Sequence, residues 1–351
     1  MENATTLDAV KDYYGKVLQG MRDLKTNACC CTESIPENHR GILDEIDDEI
    51  LDRFYGCGSP IPPALEGCTV LDLGCGSGRD TYLVSRLVGP GGFVIGVDMT
   101  GEQLAVARKH LDSQTKKFGY AKSNVDFRCG YIEDLAALGI EDNSIDVVIS
   151  NCVINLSPRK KRVFSEIFRV LKPGGELFFS DVFAGRRVPK EWADDPVLLG
   201  ECLGGAMYIE DFRRLLRDLG CPDYRVMSKN LVTLDNPEIR AKVGMTDFYS
   251  MKIRAFKLAS LEDICEDFGQ AAYYLGTIPE YPFGFPLDDH HTLITGKPML
   301  VCGNTAAMVS ETRFGRHFKV VGDTSVHYGP FVCGPSCAVP AADPCGGGSC
   351  R

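Results

Sequence analysis

A glycine-rich run follows a short apolar stretch, and its residue types could hold a nucleotide-type ligand. The run reads Val70-Leu71-Asp72-Leu73-Gly74-Cys75-Gly76-Ser77-Gly78-Arg79-Asp80, and an acid follows at Asp98. Glycines let the backbone approach a ligand closely, and a carboxylate that ends the next strand can accept hydrogen bonds from ribose hydroxyls. We therefore predict that a nucleotide-type cofactor binds at this strand-to-helix turn.

The spacing of the glycines separates two classes of cofactor. A dinucleotide fingerprint needs Gly-x-Gly-x-x-Gly, but Gly78 comes one residue early and Arg79 stands where that glycine is expected. Asp72 would repel a pyrophosphate, and it is placed to pair with the α-ammonium group of S-adenosylmethionine. The spacing favours S-adenosylmethionine, and a glycine turn with a purely structural role remains the alternative.

Short apolar runs alternate with amphipathic stretches from residue 69 onward, which is the pattern of a doubly wound α/β sheet. The predicted strands are Thr69–Gly74, Phe93–Asp98, Val125–Arg128, Ile145–Asn151, Glu176–Val182, Tyr224–Leu234 and Phe248–Leu258. The predicted helices are Arg79–Val88, Glu102–Lys116 and Arg159–Leu171. We expect a Rossmann-like sheet with helices on both faces.

Composition and charge exclude several classes of protein. The chain has 351 residues, a formal net charge of −10 and no basic stripe, so nucleic acid is not expected as a partner. No apolar stretch reaches membrane-spanning length, and the first residues lack the pattern of a secretory signal. We expect a cytoplasmic enzyme.

The 16 cysteines are more than such a sheet requires, and three of them lie where a ligand could bind. Cys152 directly follows the fourth predicted strand, at the edge where open α/β sheets bind their ligands. Cys57 and Cys202 lie in loops rich in glycine, which suits a thiolate site for a metalloid. The remaining cysteines outside the two termini are predicted to be small buried side chains, namely Cys68, Cys75, Cys129, Cys221, Cys265 and Cys302.

Longer motifs give a specific resemblance over about residues 11–233. They are Tyr14-Gly15-Lys16-Val17-Leu18, Leu24-Lys25-Thr26-Asn27-Ala28-Cys29, Arg53-Phe54-Tyr55-Gly56-Cys57-Gly58, the glycine-rich run, 150–155 and 200–206. Together they resemble arsenite methyltransferases, which belong to the class I methyltransferase superfamily and use S-adenosyl-L-methionine.

The resemblance implies a site and a reaction. Arsenic(III) would bind to Cys57, Cys152 and Cys202, and Cys29 would be the redox-active thiol. This chain extends that thiol to a triplet, Cys29-Cys30-Cys31, so the member that acts stays open. The implied residues of the cofactor site are Tyr14, Asp72, Gly74, Gly76, Gly78, Arg79, Asp98, Met99, Gln103, Ile132, Glu133, Asn151 and Val153.

The implied activity is methylation of arsenite and methylarsenite, which would detoxify arsenic. Each transfer formally oxidises arsenic, so thiols must return electrons, and we expect glutathione or thioredoxin to regenerate them. We expect a monomer. Three alternatives stay open: methylation of antimony or selenium, methylation of a small organic molecule, and storage of a metalloid without catalysis.

The expected domains follow from changes in composition along the chain. Residues 1–60 form an N-terminal extension, residues 61–260 the methyltransferase domain and residues 183–223 a cap that binds arsenic. Residues 261–330 form a small mixed α/β accessory domain. The glycine-rich and cysteine-rich residues 331–351 are expected to be disordered, because they cannot build a core.

Overall fold

The structure is a computed structural model that describes residues 7, 10, 11, 36–54, 56 and 59–332. Tyr14, Cys29–Cys31, Cys57 and the tail from Cys333 lie outside the described residues.

The described chain is organised around an eight-stranded sheet in the order β3-β2-β1-β4-β5-β8-β7, with β6 paired to β5. Its strands are β1 (Thr69–Leu73), β2 (Phe93–Asp98), β3 (Val125–Cys129), β4 (Ile145–Asn151), β5 (Leu171–Ala184), β6 (Met207–Tyr208), β7 (Tyr224–Leu231) and β8 (Phe248–Phe256). Strands β1 to β5 run parallel, and β8 pairs antiparallel with both β5 and β7.

Helices connect these strands and precede the first of them. They are α1 (Glu37–Leu43), α2 (Asp48–Asp52), α3 (Arg79–Val88), α4 (Gly101–Lys109), α5 (Leu111–Lys117), α6 (Lys160–Val170), α7 (Pro196–Gly200), α8 (Ile209–Asp218) and α9 (Pro237–Val243). None of the helices within the described residues is long and apolar enough to cross a membrane.

The strand order reverses at β1, whose neighbours are β2 on one side and β4 on the other. The apolar run of β1 is buried on both faces, with Val70, Leu71 and Leu73 at 0% exposure. A crevice opens outside the carboxyl ends of strands at such a switch point. The fold therefore directs the loops after β1, β2 and β4 toward one cleft.

The Rossmann-like fold class is confirmed, with two local corrections. The helix predicted over Glu102–Lys116 is interrupted at His110, which separates α4 from α5. His110 Nε2 lies 2.6 Å from Glu49 Oε2, and its Nδ1 lies 3.3 Å from Asp47, so a tertiary contact accompanies the break. Strand β5 begins at Leu171, where the sequence predicted the end of a helix, because the Pro-Gly-Gly segment belongs to the strand and is accompanied by a register shift against β4.

The C-terminal part of the described chain consists of small antiparallel sheets, one α-helix and a short 3-10 helix, Gly315–His317. Its elements are β9 (Glu266–Asp267), β10 (Gln270–Tyr274), β11 (Gly284–Pro286), β12 (Thr292–Ile294), β13 (Pro298–Val301), α10 (Gly303–Ser310), β14 (Phe318–Val321) and β15 (Gly329–Pro330). The sheet β13-β10-β14 packs with α10.

A buried ion cluster joins this C-terminal part to the large sheet. Glu176 of β5 lies 2.5 Å from both Arg254 Nε of β8 and Arg313 Nη2, and the side chains of Glu176 and Arg254 are fully buried. Arg313 also donates to the carbonyls of Pro63 and Ala64. One carboxylate therefore forms ion pairs with two guanidinium groups that come from two parts of the fold.

Replacing the shared carboxylate is expected to destabilise the protein strongly. Glu176→Ala leaves the Arg254 and Arg313 guanidinium groups without their anion, and breaking a buried pair in this way costs about 3–5 kcal/mol. The free energy of unfolding measured in urea should fall by that amount. Glu210→Ala, which breaks the exposed pair with Arg213 in α8, should cost less than about 1 kcal/mol. Equal losses in the two variants would contradict this account.

Candidate active site

The glycine-rich turn after β1 has the backbone geometry that its sequence predicts. Gly74, Gly76 and Gly78 have φ values of +73°, +52° and +94°, which glycine adopts without strain. A Cβ at Gly74 would overlap the side chain of Val153, so glycine also permits close packing of this turn against the residues after β4. The turn therefore forms one wall of a narrow cleft.

The cleft contains about 940 Å³ of empty volume at the carboxyl ends of the parallel strands. It is lined by ten residues of the predicted cofactor set: Asp72, Gly74, Gly76, Asp98, Met99, Gln103, Ile132, Glu133, Asn151 and Val153. Cys152 also lines it. The structure therefore brings most of the predicted site together with one of the predicted arsenic ligands.

Asp72, which lines this cleft, is buried from solvent. Burial, followed by the nearby carboxylate of Asp80, raises the pKa of Asp72 to about 8. Thr81 Oγ1 donates to Asp72 Oδ2 at 2.7 Å. Because burial disfavours an isolated carboxylate, a cationic group bound beside Asp72 would stabilise its charged form.

Asp98 ends β2 and holds the glycine turn in place. Its Oδ2 accepts a hydrogen bond from Gly76 N at 2.9 Å, and its Oδ1 accepts one from Thr100 N at 2.7 Å. Burial raises its pKa, and these backbone donors oppose that rise. Asp98 thus links the turn after β1 to the loop after β2, on the cleft surface.

Two residues of the predicted cofactor set lie behind the cleft. Gly78 precedes α3, and a Cβ at this position would come close to the ring of Phe127. The absence of a side chain therefore permits close packing at the start of the helix. Arg79 Nη2 lies 2.6 Å from Asp80 Oδ1, and its guanidinium carbon lies 3.2 Å from the centre of the Phe54 ring. Neither residue is part of the described lining, and their role toward a cofactor stays a prediction.

Sequence reasoning missed polar groups that complete the cleft wall. Asn151 Nδ2 donates to Asp80 Oδ2 at 2.9 Å, and Ser157 Oγ donates to Glu133 Oε1 at 2.6 Å. Asp80, Thr100 and Ser157 all line the cleft. Asp80 is part of the glycine-rich run and could have been identified from it, whereas Ser157 lies outside the motifs of the sequence analysis.

Cys152 and Cys202 are brought together by two unusual backbone conformations. Their φ values are +54° and +65°, which non-glycine residues rarely adopt and which cluster at functional sites. Cys202 Sγ lies 3.3 Å from the carbonyl oxygen of Cys152, and the two sulfur atoms lie within 4.8 Å of each other. At this separation one bound atom could contact both sulfur atoms.

The two cysteines are both buried, but they differ in redox state. Cys152 is 4% exposed and disulfide-bonded, whereas Cys202 is 0% exposed and carries a thiol. Cys152 must therefore be reduced before its sulfur can bind a metalloid. The other predicted thiols of the site, Cys29 and Cys57, lie outside the described residues. Gly56 is described, and its backbone packs on the side chain of Asn151 in the cleft wall.

Two charged groups accompany this pair of cysteines, and neither was identified from the sequence. Asp181 of β5 is fully buried, and one of its oxygens lies within 4.8 Å of both sulfur atoms. Burial raises the pKa of Asp181 to about 7, and backbone donors from Val182 and Asn155 oppose this rise. Burial also lowers the pKa of Lys160 to about 8, against attraction by Asp181 and Cys202.

The cysteines assigned to the core are mostly buried, with two corrections. Cys68, Cys75, Cys221 and Cys302 are buried as predicted. Cys129 is exposed, because it is the last residue of β3, and Cys265 is half-buried in the loop before β9. Apolar neighbours in the sequence did not guarantee burial at the ends of strands.

Comparisons with known proteins agree with this geometry. A family model described as a methyltransferase domain matches residues 64–220. The arsenite methyltransferase of Aquipseudomonas alcaligenes is 52% identical over 328 residues, which cover 93% of this chain and 94% of that protein. The arsenite methyltransferase of Homo sapiens is 42% identical over 315 residues, which cover 89% of this chain and 82% of that protein.

A solved structure supports the same relationship. The crystal structure of an arsenic(III) S-adenosylmethionine methyltransferase from Chlamydomonas reinhardtii superposes with a TM-score of 0.82 at 51% identity. The match covers 85% of this chain and all of that chain. On this sequence identity and coverage, the chain belongs to the arsenite methyltransferase family.

Proposed function

We propose that this protein transfers methyl groups from S-adenosylmethionine to trivalent arsenic held by the thiolates of Cys57, Cys152 and Cys202, giving mono- and dimethylated arsenicals. The observation that carries the proposal is the convergence of Cys152 and Cys202 at the cofactor cleft. Cys152 lines that cleft directly, and Cys202 lies just behind it. Family membership supports arsenic as the substrate.

The cleft residues fit S-adenosylmethionine, which supplies an electrophilic methyl group on a sulfonium when it binds. Asp72 would pair with the α-ammonium group, because it is buried and its described hydrogen bond comes from a neutral hydroxyl, that of Thr81. Asp98 would accept hydrogen bonds from the ribose hydroxyls. Met99 and Ile132 would supply apolar surface for the base.

The thiols would exchange with the hydroxides of arsenite and fix the arsenic in position. Each thiol forms one arsenic–sulfur bond and releases one water, since its proton leaves with the displaced hydroxide. Thiolate is the soft ligand that a soft centre prefers, and hard anions such as phosphate are not retained by sulfur. Three such bonds leave the arsenic lone pair as the nucleophile, so no general base is needed and alignment is the main contribution of the protein.

Thiols would also return the electrons that each transfer requires. Methylation raises arsenic from the trivalent to the pentavalent state, and two thiols that become a disulfide supply the two electrons that reverse it. The disulfide at Cys152 supports such chemistry within the site. Glutathione or thioredoxin would then reduce the disulfide, as expected for an enzyme in the reducing cytoplasm. We also propose that the enzyme is a monomer.

The N-terminal cysteine triplet is proposed to take part in this electron return. Replacing Cys29, Cys30 and Cys31 together with serine should lower multiple-turnover methylation of arsenite more than that of methylarsenite. The reason is that methylarsenite needs only two thiolates to hold it and depends less on an additional thiol. Rates measured for the two substrates over many turnovers check this. A parent rate with arsenite would remove the triplet from catalysis.

Product analysis tests the proposed function. The reduced protein is incubated with arsenite, methyl-labelled S-adenosylmethionine and thiol, and the arsenic species are separated and counted for label. We expect label in monomethyl and then dimethyl arsenic. In parallel incubations that replace arsenite with antimonite, selenite or a small organic acceptor, label on one of these acceptors and never on arsenic would favour the alternative substrates. Binding of arsenic without any transfer would indicate a storage protein.

A further inference from the structure

A buried carboxylate stands beside the two cysteines and is not used by the proposed transfer. Asp181 lies near the carboxyl end of β5, next to the end of β4, and Cys152 directly follows β4. One of its oxygens and the sulfur atoms of Cys152 and Cys202 all lie within 4.8 Å of one another. The site therefore combines two soft sulfur ligands with one carboxylate oxygen, which can accept a hydrogen bond.

Backbone donors fix the orientation of this carboxylate. Asp181 Oδ1 accepts from Val182 N at 2.8 Å, and Oδ2 accepts from Asn155 N at 3.1 Å. An ionised carboxylate offers about four acceptor positions, so these bonds leave capacity for a ligand. The group thus faces the thiols as a positioned hydrogen-bond acceptor.

Inorganic arsenite and methylarsenite differ in what they could donate to this acceptor. When arsenite exchanges two hydroxides for two thiolates, two waters leave and one As–OH group remains. When methylarsenite makes the same exchange, two waters also leave, but its third substituent is a methyl group. Only the complex of inorganic arsenite retains an O–H donor.

We propose that Asp181 accepts the hydrogen bond of the arsenic-bound hydroxide in the complex of arsenite with Cys152 and Cys202, and so favours inorganic arsenite over methylarsenite. The proposal rests on the proposed function, since it requires arsenic at these two cysteines. Asp181 acts here as a specificity-determining residue, and the later arrival of Cys57 displaces the retained hydroxide as water.

The test isolates the two-thiolate complex. Cys57→Ser is used as the background, so that arsenite retains one hydroxide, and the protein is reduced before use. Binding is followed through Trp192, the only tryptophan of the chain, whose carbonyl lies against Gly204 near Cys202. Glu166→Gln is the matched control, because Glu166 is also buried and accepts from the backbone of Leu135 and Ala136, away from the cleft.

Adding Asp181→Asn to this background should weaken arsenite binding by about 10-fold or more, as expected for the loss of a buried charged hydrogen bond. Methylarsenite binding should change by less than about twofold, because its complex has no O–H group to donate to residue 181. Glu166→Gln should leave the ratio of the two affinities unchanged.

Other outcomes would overturn the proposal. Equal weakening for both arsenicals would indicate a structural role for Asp181, and unchanged arsenite affinity would remove it from the site. If Asp181→Asn does not fold, infrared difference spectra of the Cys57→Ser protein with labelled aspartate replace the mutant. A carboxylate shift must then appear with arsenite and not with methylarsenite. Failure of the reduced wild-type protein to bind either arsenical would instead refute the proposed function.

Discussion

Cys202→Ser is expected to abolish methylation of both arsenite and methylarsenite while the affinity for S-adenosylmethionine stays close to that of the parent. A serine hydroxyl is a hard ligand that does not ionise near neutral pH, so it cannot replace thiolate toward arsenic. Cys202 is not part of the described lining of the cleft proposed to bind the cofactor, so its replacement should not disturb that cleft. Transfer rates with both substrates and calorimetry with the cofactor check the two parts.

Cys221→Ser is the matched control for this variant. Cys221 is also fully buried and carries a thiol whose pKa burial raises to about 12, but it packs in a different core cluster from Cys202. Its activity should stay close to the parent rate. Dimethylation retained by Cys202→Ser would contradict the role of this thiol, and so would equal losses in the two variants.

Asp98→Ala is expected to weaken S-adenosylmethionine binding by about 10-fold to 100-fold, because a charged hydrogen bond contributes about 1.5–3 kcal/mol. The variant loses the acceptor proposed for the ribose hydroxyls, and it also releases Gly76 N and Thr100 N from the carboxylate. Calorimetric titration with the cofactor measures the change.

Asp126→Ala provides the comparison for this prediction. Asp126 lies on the neighbouring strand β3 and pairs with Arg128, outside the described cleft lining. Its cofactor affinity should match that of the parent. Unchanged affinity in Asp98→Ala would remove Asp98 from the cofactor site, and a similar fall in Asp126→Ala would point to a general loss of stability.

The sheet was predictable because its strands are short apolar runs separated by glycine turns. Thr69, Phe93 and Ile145 begin strands where the sequence indicated. The break at His110 was not predictable, since it accompanies contacts with Asp47 and Glu49, about sixty residues away in the chain. Local pattern identifies an element, whereas tertiary contacts decide where it is interrupted.

The cleft was largely predictable, and the surroundings of the thiols were less so. Asp72 and Asp98 belong to a motif with fixed spacing, and both line the cleft. Asp181 lies within the apolar run of β5, and an acid near the carboxyl end of a buried strand was the signal that could have revealed it. The left-handed conformations of Cys152 and Cys202 have no signature in residue type, because non-glycine residues seldom adopt them.

Arsenic K-edge X-ray absorption on the reduced protein with one equivalent of arsenite measures which atoms hold the arsenic. We expect three sulfur neighbours and no retained oxygen in the parent protein. Cys202→Ser should show fewer sulfur neighbours and at least one oxygen, while Cys221→Ser should match the parent. An oxygen-dominated shell in the parent, or an unchanged three-sulfur shell in Cys202→Ser, would contradict binding of arsenic by Cys57, Cys152 and Cys202.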